Sequence, residues 1–194
     1  MSPKSQRPDQ KPDTRGVRRL PEHEIIAILR AADDTRGAGG KEMLIKVLKG
    51  ADDRQILHRG LNENPLYGYY EELSEEEIEK RVNWMIQHGF LLLAPGSRAP
   101  VLDLTEKGWE IEKKTYAQEL RMEFDEILES GKQPYDLSYL ESVDPEVLEN
   151  LLELLRKSGN PKYIPLLEAW LPYPPKRLRT RISQVIAALE AGSS

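Results

Sequence analysis

Apolar residues recur along this chain at helical spacing, and glycines and prolines punctuate the runs. Ile25, Ile26, Ile28 and Leu29 give an apolar side to a helix that starts near Pro21, where the fixed φ of proline suits a first turn, and Asp33 to Gly40 interrupt it. Met43, Leu44, Val47 and Leu48 repeat the pattern, with Gly50 placed to cap the end. A short helix is predicted over Asp53 to Arg59. The next opens with Ser74 and Glu77 three apart, so that each side chain can satisfy a backbone donor at the helix start, and it ends at Gly89. Ile78, Val82, Met85, Ile86 and Gly89 share the inward side of that helix. Then the period changes. Phe90 to Ala94 and Val101 to Leu104 are two short apolar runs around Pro95 and Gly96, which predicts a β-hairpin.

Helical spacing returns from about Glu106, with Trp109, Ile111, Tyr116, Leu120, Phe124, Ile127 and Leu128 leading to a stop at Gly131. Gln133 to Val143 read as a hinge. Asp144-Pro145 starts a helix carrying Val147, Leu148, Leu151, Leu152 and Leu155, and Asn160-Pro161 starts another through Leu166, Leu167 and Leu171. After Pro172, Pro174 and Pro175, a last helix sets Leu178, Ile182, Val185, Ile186 and Leu189 on one stripe. Paired short helices with Leu-rich inner faces look like a HEAT-type repeat, whose period of about 40 to 47 residues leaves room for one unit and part of another. The expected fold is mainly α: a winged helix, with a three-helix core and a short β-hairpin wing, followed by a helical HEAT-like domain. The expected boundaries are a disordered basic tail over 1–19, the winged helix over 20–114, a connector helix and hinge over 115–143, and the HEAT-like domain over 144–194.

Composition narrows the function classes. At 194 residues, 39% hydrophobic and 31% charged, the chain fits a soluble globular protein. No apolar run approaches the roughly 18 residues a membrane span needs, and the N-terminus lacks the apolar stretch of a signal peptide. The expected location is the cytoplasm, on the nucleoid in a bacterium, with no membrane contact. With no cysteine there is no disulfide, thiolate-bound zinc or cysteine-held cluster. A formal net charge of -5 argues against a protein that coats nucleic acid, yet the charge is segregated. Lys4, Arg7, Lys11, Arg15, Arg18 and Arg19 face only Asp9 and Asp13 in the tail, which is either plainly solvated or an arm that touches phosphates. Glu71 to Glu79 form an acidic block, and Lys176, Arg177, Arg179 and Arg181 a second basic cluster.

Residues 36–108 also carry short motifs in a definite order: RGAGGKEMLIKVLKG, closing on Lys49-Gly50, then Leu66-Tyr67-Gly68, then Ser-Glu-X-Glu from Ser74, and finally Leu-Thr-Glu-Lys-Gly from Leu104. In sequence and order this stretch, less than half of the chain, resembles the RQC domain, the winged-helix module that follows the motor and zinc-binding regions in RecQ-family helicases. The resemblance implies DNA binding, without the motor, since the chain has no Walker loop and is too short for a two-lobed helicase. It implies phosphate contacts from the turn after the first winged-helix helix and from the wing. Here those are Lys49, Gly50, Ala51, Asp52, Asp53, Arg54 and Gln55, then Ser97 and Arg98, with Lys107 of the closing motif taken alongside them. Two departures stand out. Asp52 and Asp53 would repel phosphate unless they cap the helix beside them, and the wing tip from Pro95 to Pro100 is short and lacks the aromatic wedge that separates strands.

Opposite the inward side of the Ser74 helix lie Lys80, Arg81, Asn83, Trp84, Gln87 and His88. Such a face suits DNA, with the two amides reading base edges and the cations on phosphates; alternatively Trp84 packs against the C-terminal helices. Arg177 and Arg181, four apart on one helical face, are either a solvated surface or a second phosphate contact. Gly37, Gly39, Gly40 and Lys41 lack the spacing and the hydroxyl of a phosphate-binding loop. The three histidines lack metal spacing, and no cofactor is expected. The expectation is a stand-alone, non-catalytic protein that grips duplex or junction DNA through its backbone. The alternative is an adaptor whose winged helix and HEAT-like helices bind a protein.

Overall fold

In the computed structural model, which describes residues 13–36, 39–96 and 100–192, several predicted helix ends coincide with a physical cap. The order is α1 (Glu22–Thr35), α2 (Lys41–Lys49), α3 (Arg54–His58), α4 (Glu75–Gln87), β1 (Leu91–Ala94), β2 (Val101–Leu104), α5 (Glu106–Ser130), α6 (Pro145–Ser158), α7 (Ile164–Trp170) and α8 (Lys176–Ala191). Gly50 closes α2 in the left-handed region at φ 72°, where a side chain would be strained. Asp53 accepts from the Gln55 backbone to cap α3, and Ser74 and Glu77 form both halves of the capping box of α4. Asp144 and Asn160 each accept a backbone hydrogen bond just ahead of a proline, as their pairing with Pro145 and Pro161 predicts.

The chain divides into two compact units between Glu112 and Lys113. In the first, α2 packs on α1 and α4, α4 on β1, and α1 on β2. Ile28, Leu29, Leu44, Leu48, Ile56, Ile78, Val82 and Met85 are fully buried at their centre, each worth about 1.5–3 kcal/mol. The strands pair antiparallel, Leu91 opposite Leu104 and Leu93 opposite Leu102. This is a winged helix of α2, α3 and α4 with a two-stranded wing, and α1 added in front. Of the tail expected over 1–19, residues 1–12 lie outside the described residues, whereas Val17 packs on the core, next to buried Leu20.

The second unit is helical. α6 and α7 both pack on α8, with Leu151, Leu155, Leu166, Leu167, Ile182, Val185 and Leu189 fully buried. Its first helical turns come from α5, where Ala117, Leu120 and Phe124 are buried and Phe124 meets Trp170 edge-on at 6.5 Å. Leu137, Leu140 and Val143 are buried too, and a 3₁₀ turn spans Ser138–Ser142. The segment read from sequence as connector and hinge, 115–143, therefore supplies core to the second unit, because its apolar residues find partners there.

Candidate nucleic-acid interface

The motifs in the first unit turn out to hold the backbone together. Gly50 sits against Gly68: a Cβ on Gly50 would lie 2.9 Å from the Gly68 Cα, so a larger residue at 50 would push the turn apart. Tyr67 Oη donates to the Ala51 carbonyl at 2.9 Å, and the Gly68 and Tyr70 amides donate to Val47 and Leu48. Lys49 Nζ reaches back to the Glu71 carbonyl and, at 2.9 Å, to that of Leu73. The closing motif does the same for the wing. Thr105 Oγ1 donates to Gly89 O at 2.7 Å and accepts from the Gly108 amide at 3.1 Å. Lys107 Nζ donates to His88 O at 3.0 Å and stands 3.7 Å above the Phe90 ring.

These contacts decide the fate of the expected DNA-facing residues. Lys49 and Lys107 spend their ammonium groups on carbonyls of their own chain. Asp53 repels less than its charge suggests. Lys46 pairs with it at 2.7 Å while it caps α3, and the hydrogen bonds from Lys46 and from the Gln55 amide hold its carboxyl below the ordinary range. Arg54 and Gln55 are exposed beside it, as is Asp52. Ser97 and Arg98 lie outside the described residues.

The outer side of α4 is not an open face. Trp84 is 5% exposed and Asn83 4%. The indole stacks on His88 at 3.7 Å and lies near-parallel to Phe90 at 6.0 Å, and its Nε1 points at the Arg18 carbonyl at 3.4 Å. Asn83 donates to the Asp13 carbonyl at 2.9 Å and accepts from Lys41 at 3.1 Å. Residues 13–20 thus lie over this side of α4. Asn83, expected to read base edges, and Trp84, expected on the same open face, are therefore buried within the first unit, which corrects the expectation that they are exposed to a ligand. Helical periodicity cannot reveal such a cover, because the covering segment is irregular and carries only Val17 and Leu20 as apolar signals.

The neighbouring cations are likewise engaged. Lys80 pairs with Glu76 at 2.7 Å. Arg81 pairs with Glu24 at 3.1 Å, bonds the Glu77 carbonyl and lies over the Tyr70 ring. Burial, and then the hydrogen bond to Glu24, push the Tyr70 hydroxyl far above the usual phenol range. Gln87 remains exposed. In the second unit Arg181 is held by Glu149 at 3.6 Å and Glu153 at 3.1 Å, while Arg177 reaches Glu149 only at 4.0 Å and is 92% exposed.

What stays available in the first unit is Arg54 from the expected contacts, together with three arginines outside that set. Arg54 and Arg59 flank α3 on the surface, and Arg18 and Arg19 follow on the segment over α4; none of the four side chains has a partner among the described residues. Sequence reasoning missed Arg59, although a second arginine bounding the same predicted short helix was a signal for it. No helix among the described residues is long and apolar enough to cross a membrane. The family model of the RQC domain matches residues 22–129, spanning all of the elements from α1 to the wing and nearly all of α5. No curated protein and no solved structure matches the chain.

Proposed function

Because the chain belongs to the RQC-domain family, a winged-helix family associated with DNA binding in RecQ helicases, we propose that it is a non-catalytic DNA-binding protein that grips duplex or junction DNA through the phosphate backbone. The observation that carries this reading is the turn from Lys49 to Asp53 and the helix after it. The turn is locked by Gly50 on Gly68, and it leads into α3 with Arg54 and Arg59 exposed and without an acidic partner among the described residues. A rigid turn that offers cations suits phosphate contacts, which position a protein without reading sequence. The basic residues of the second unit, Lys176, Arg177 and Arg179, would add contacts, and a HEAT-like character of 144–194 belongs to the same proposal.

An adaptor is the second reading. It draws on the pairing of Lys41, Lys46, Lys80 and Arg81 with Glu79, Asp53, Glu76 and Glu24, which neutralises much of the positive charge around α2 and α4. A salt titration of binding to forked, duplex and single-stranded DNA separates the two. DNA binding gives a log–log slope of roughly -0.9 per phosphate contact, and about two to four contacts are expected. Arg54→Glu and Arg59→Glu should weaken every duplex sequence alike. Absence of binding to all three forms at low salt leaves the adaptor.

A further inference from the structure

The second unit contains a groove of about 900 Å³ between the start of α6 and the segment joining α7 to α8. Its floor is apolar: Leu140, Leu148, Trp170 and Leu178 line it and are almost entirely buried. Its wall is Tyr173-Pro174-Pro175, and Tyr173 is 58% exposed, a large aromatic side chain left at the edge of an apolar depression. Every charged residue that lines it is exposed or half-buried and sits at the rim. An apolar centre with a charged rim is the anatomy of a protein-binding surface. A small-molecule pocket would instead bring a few buried polar groups to bear on its ligand, and no charged, amide or hydroxyl side chain among the residues lining this groove is buried.

The rim charges indicate the partner's sign. Lys113 pairs with Glu146 at 2.9 Å, and Arg177 faces Glu149 at 4.0 Å. Glu141 is exposed and has no cation beside it among the described residues, so the rim carries one unmatched negative charge. We propose that this groove docks a short segment of another protein that inserts apolar side chains over Trp170 and Leu148 and sets a lysine or arginine against Glu141. Tyr173 closes over the inserted side chains as the aromatic anchor, the residue type that most often dominates such interfaces. The inference does not depend on DNA binding by the first unit.

Selection of the full-length protein against a displayed library of random 12-residue peptides tests it, followed by fluorescence anisotropy with the enriched peptide made synthetically. The expected enrichment is for two apolar anchors beside a lysine or arginine. Tyr173→Ala should weaken the selected peptide by about tenfold or more. Glu141→Lys should weaken it a few-fold and, in a repeated selection, favour peptides with aspartate or glutamate at the flank. Both positions are exposed, so circular dichroism should show the fold intact. Failure to enrich any peptide, or enrichment of peptides indifferent to both substitutions, overturns the proposal. So does self-association removed by Tyr173→Ala, since the occupant would then be a second copy. DNA titration of the uncharged Tyr173→Ala variant should match the parent, which keeps the failure of this proposal distinct from failure of the DNA reading.

Discussion

Replacing Trp84 by alanine tests whether the outer side of α4 is interior or surface. The indole is 5% exposed, stacked on His88 at 3.7 Å and covered by residues 13–20. A tryptophan buries about 150–250 Å², which at about 25 cal/mol per Å² corresponds to roughly 4–6 kcal/mol. The irregular cover can settle into part of the space, so the expected loss is about 3–5 kcal/mol, in line with large aromatic truncations. The long 3.4 Å hydrogen bond to Arg18 adds little to this. For a unit of about 100 residues, each kcal/mol moves the melting temperature by about 4–8 °C, so the first unit should melt some 15 °C lower or more. Calorimetry and urea unfolding measure the loss, and duplex titration well below the new melting temperature measures affinity per folded molecule. That affinity should be unchanged, and Trp84→Phe, which keeps an aromatic stack, should recover most of the stability. A Trp84→Ala variant that melts within about 2 °C of the parent while losing duplex affinity would refute the reasoning.

Three further outcomes follow from the packing and the charges. Gly108→Ala drives a Cβ into the Phe90 carbonyl oxygen and places it 3.0 Å from Leu29 Cδ2. Urea unfolding should therefore show a loss of about 3 kcal/mol or more, and a loss under about 1 kcal/mol would mean that the wing moves freely over α5. Arg30, almost wholly buried, pairs with Asp34 at 2.9 Å and lies 3.9 Å from fully buried Glu112. Arg30→Ala should cost about 3–5 kcal/mol in chemical denaturation, and the double change Arg30→Met with Glu112→Leu should recover much of it; a double variant no better than the single would show that the pair is not the cause. Glu153 accepts two hydrogen bonds from Arg156, which with that charge hold its carboxyl at about 2, below the ordinary 4.5. Since the folded value is the lower, its contribution to stability is complete above about pH 4.5 and is lost as pH falls from there through about 2. Carboxyl NMR should find the midpoint there, rising in Arg156→Gln, whereas a midpoint near 4.5 in the parent would sink the assignment.

Much of the architecture was legible because its causes are local. A capping box is settled by Ser74 and Glu77, a left-handed cap by Gly50, and an Asp-Pro start by Asp144 and Pro145, all within one helical turn. Amphipathic spacing then fixes which side of each helix turns inward, and the family motifs were readable as strings before their purpose was known. Their purpose needed the fold. Gly50 meets Gly68, Gly108 meets the Phe90 carbonyl, and Lys49 reaches Leu73, pairings between residues far apart along the chain that no local pattern encodes. Nor could periodicity say which cations stay available: Arg81 is claimed by Glu24 and Lys41 by Glu79, while Arg54 and Arg59 remain open on the surface. Trp84 is the sharpest case. On a helical wheel it belongs to the polar side, and it is buried because an irregular segment, invisible to any periodic reading, crosses over it. The sequence by itself determined where helices and strands begin, end and turn inward, since those follow from backbone hydrogen bonds and sterics between near neighbours. Tertiary structure alone decided which side chains are left free to bind, because that depends on which distant parts of the chain arrive to cover or neutralise them.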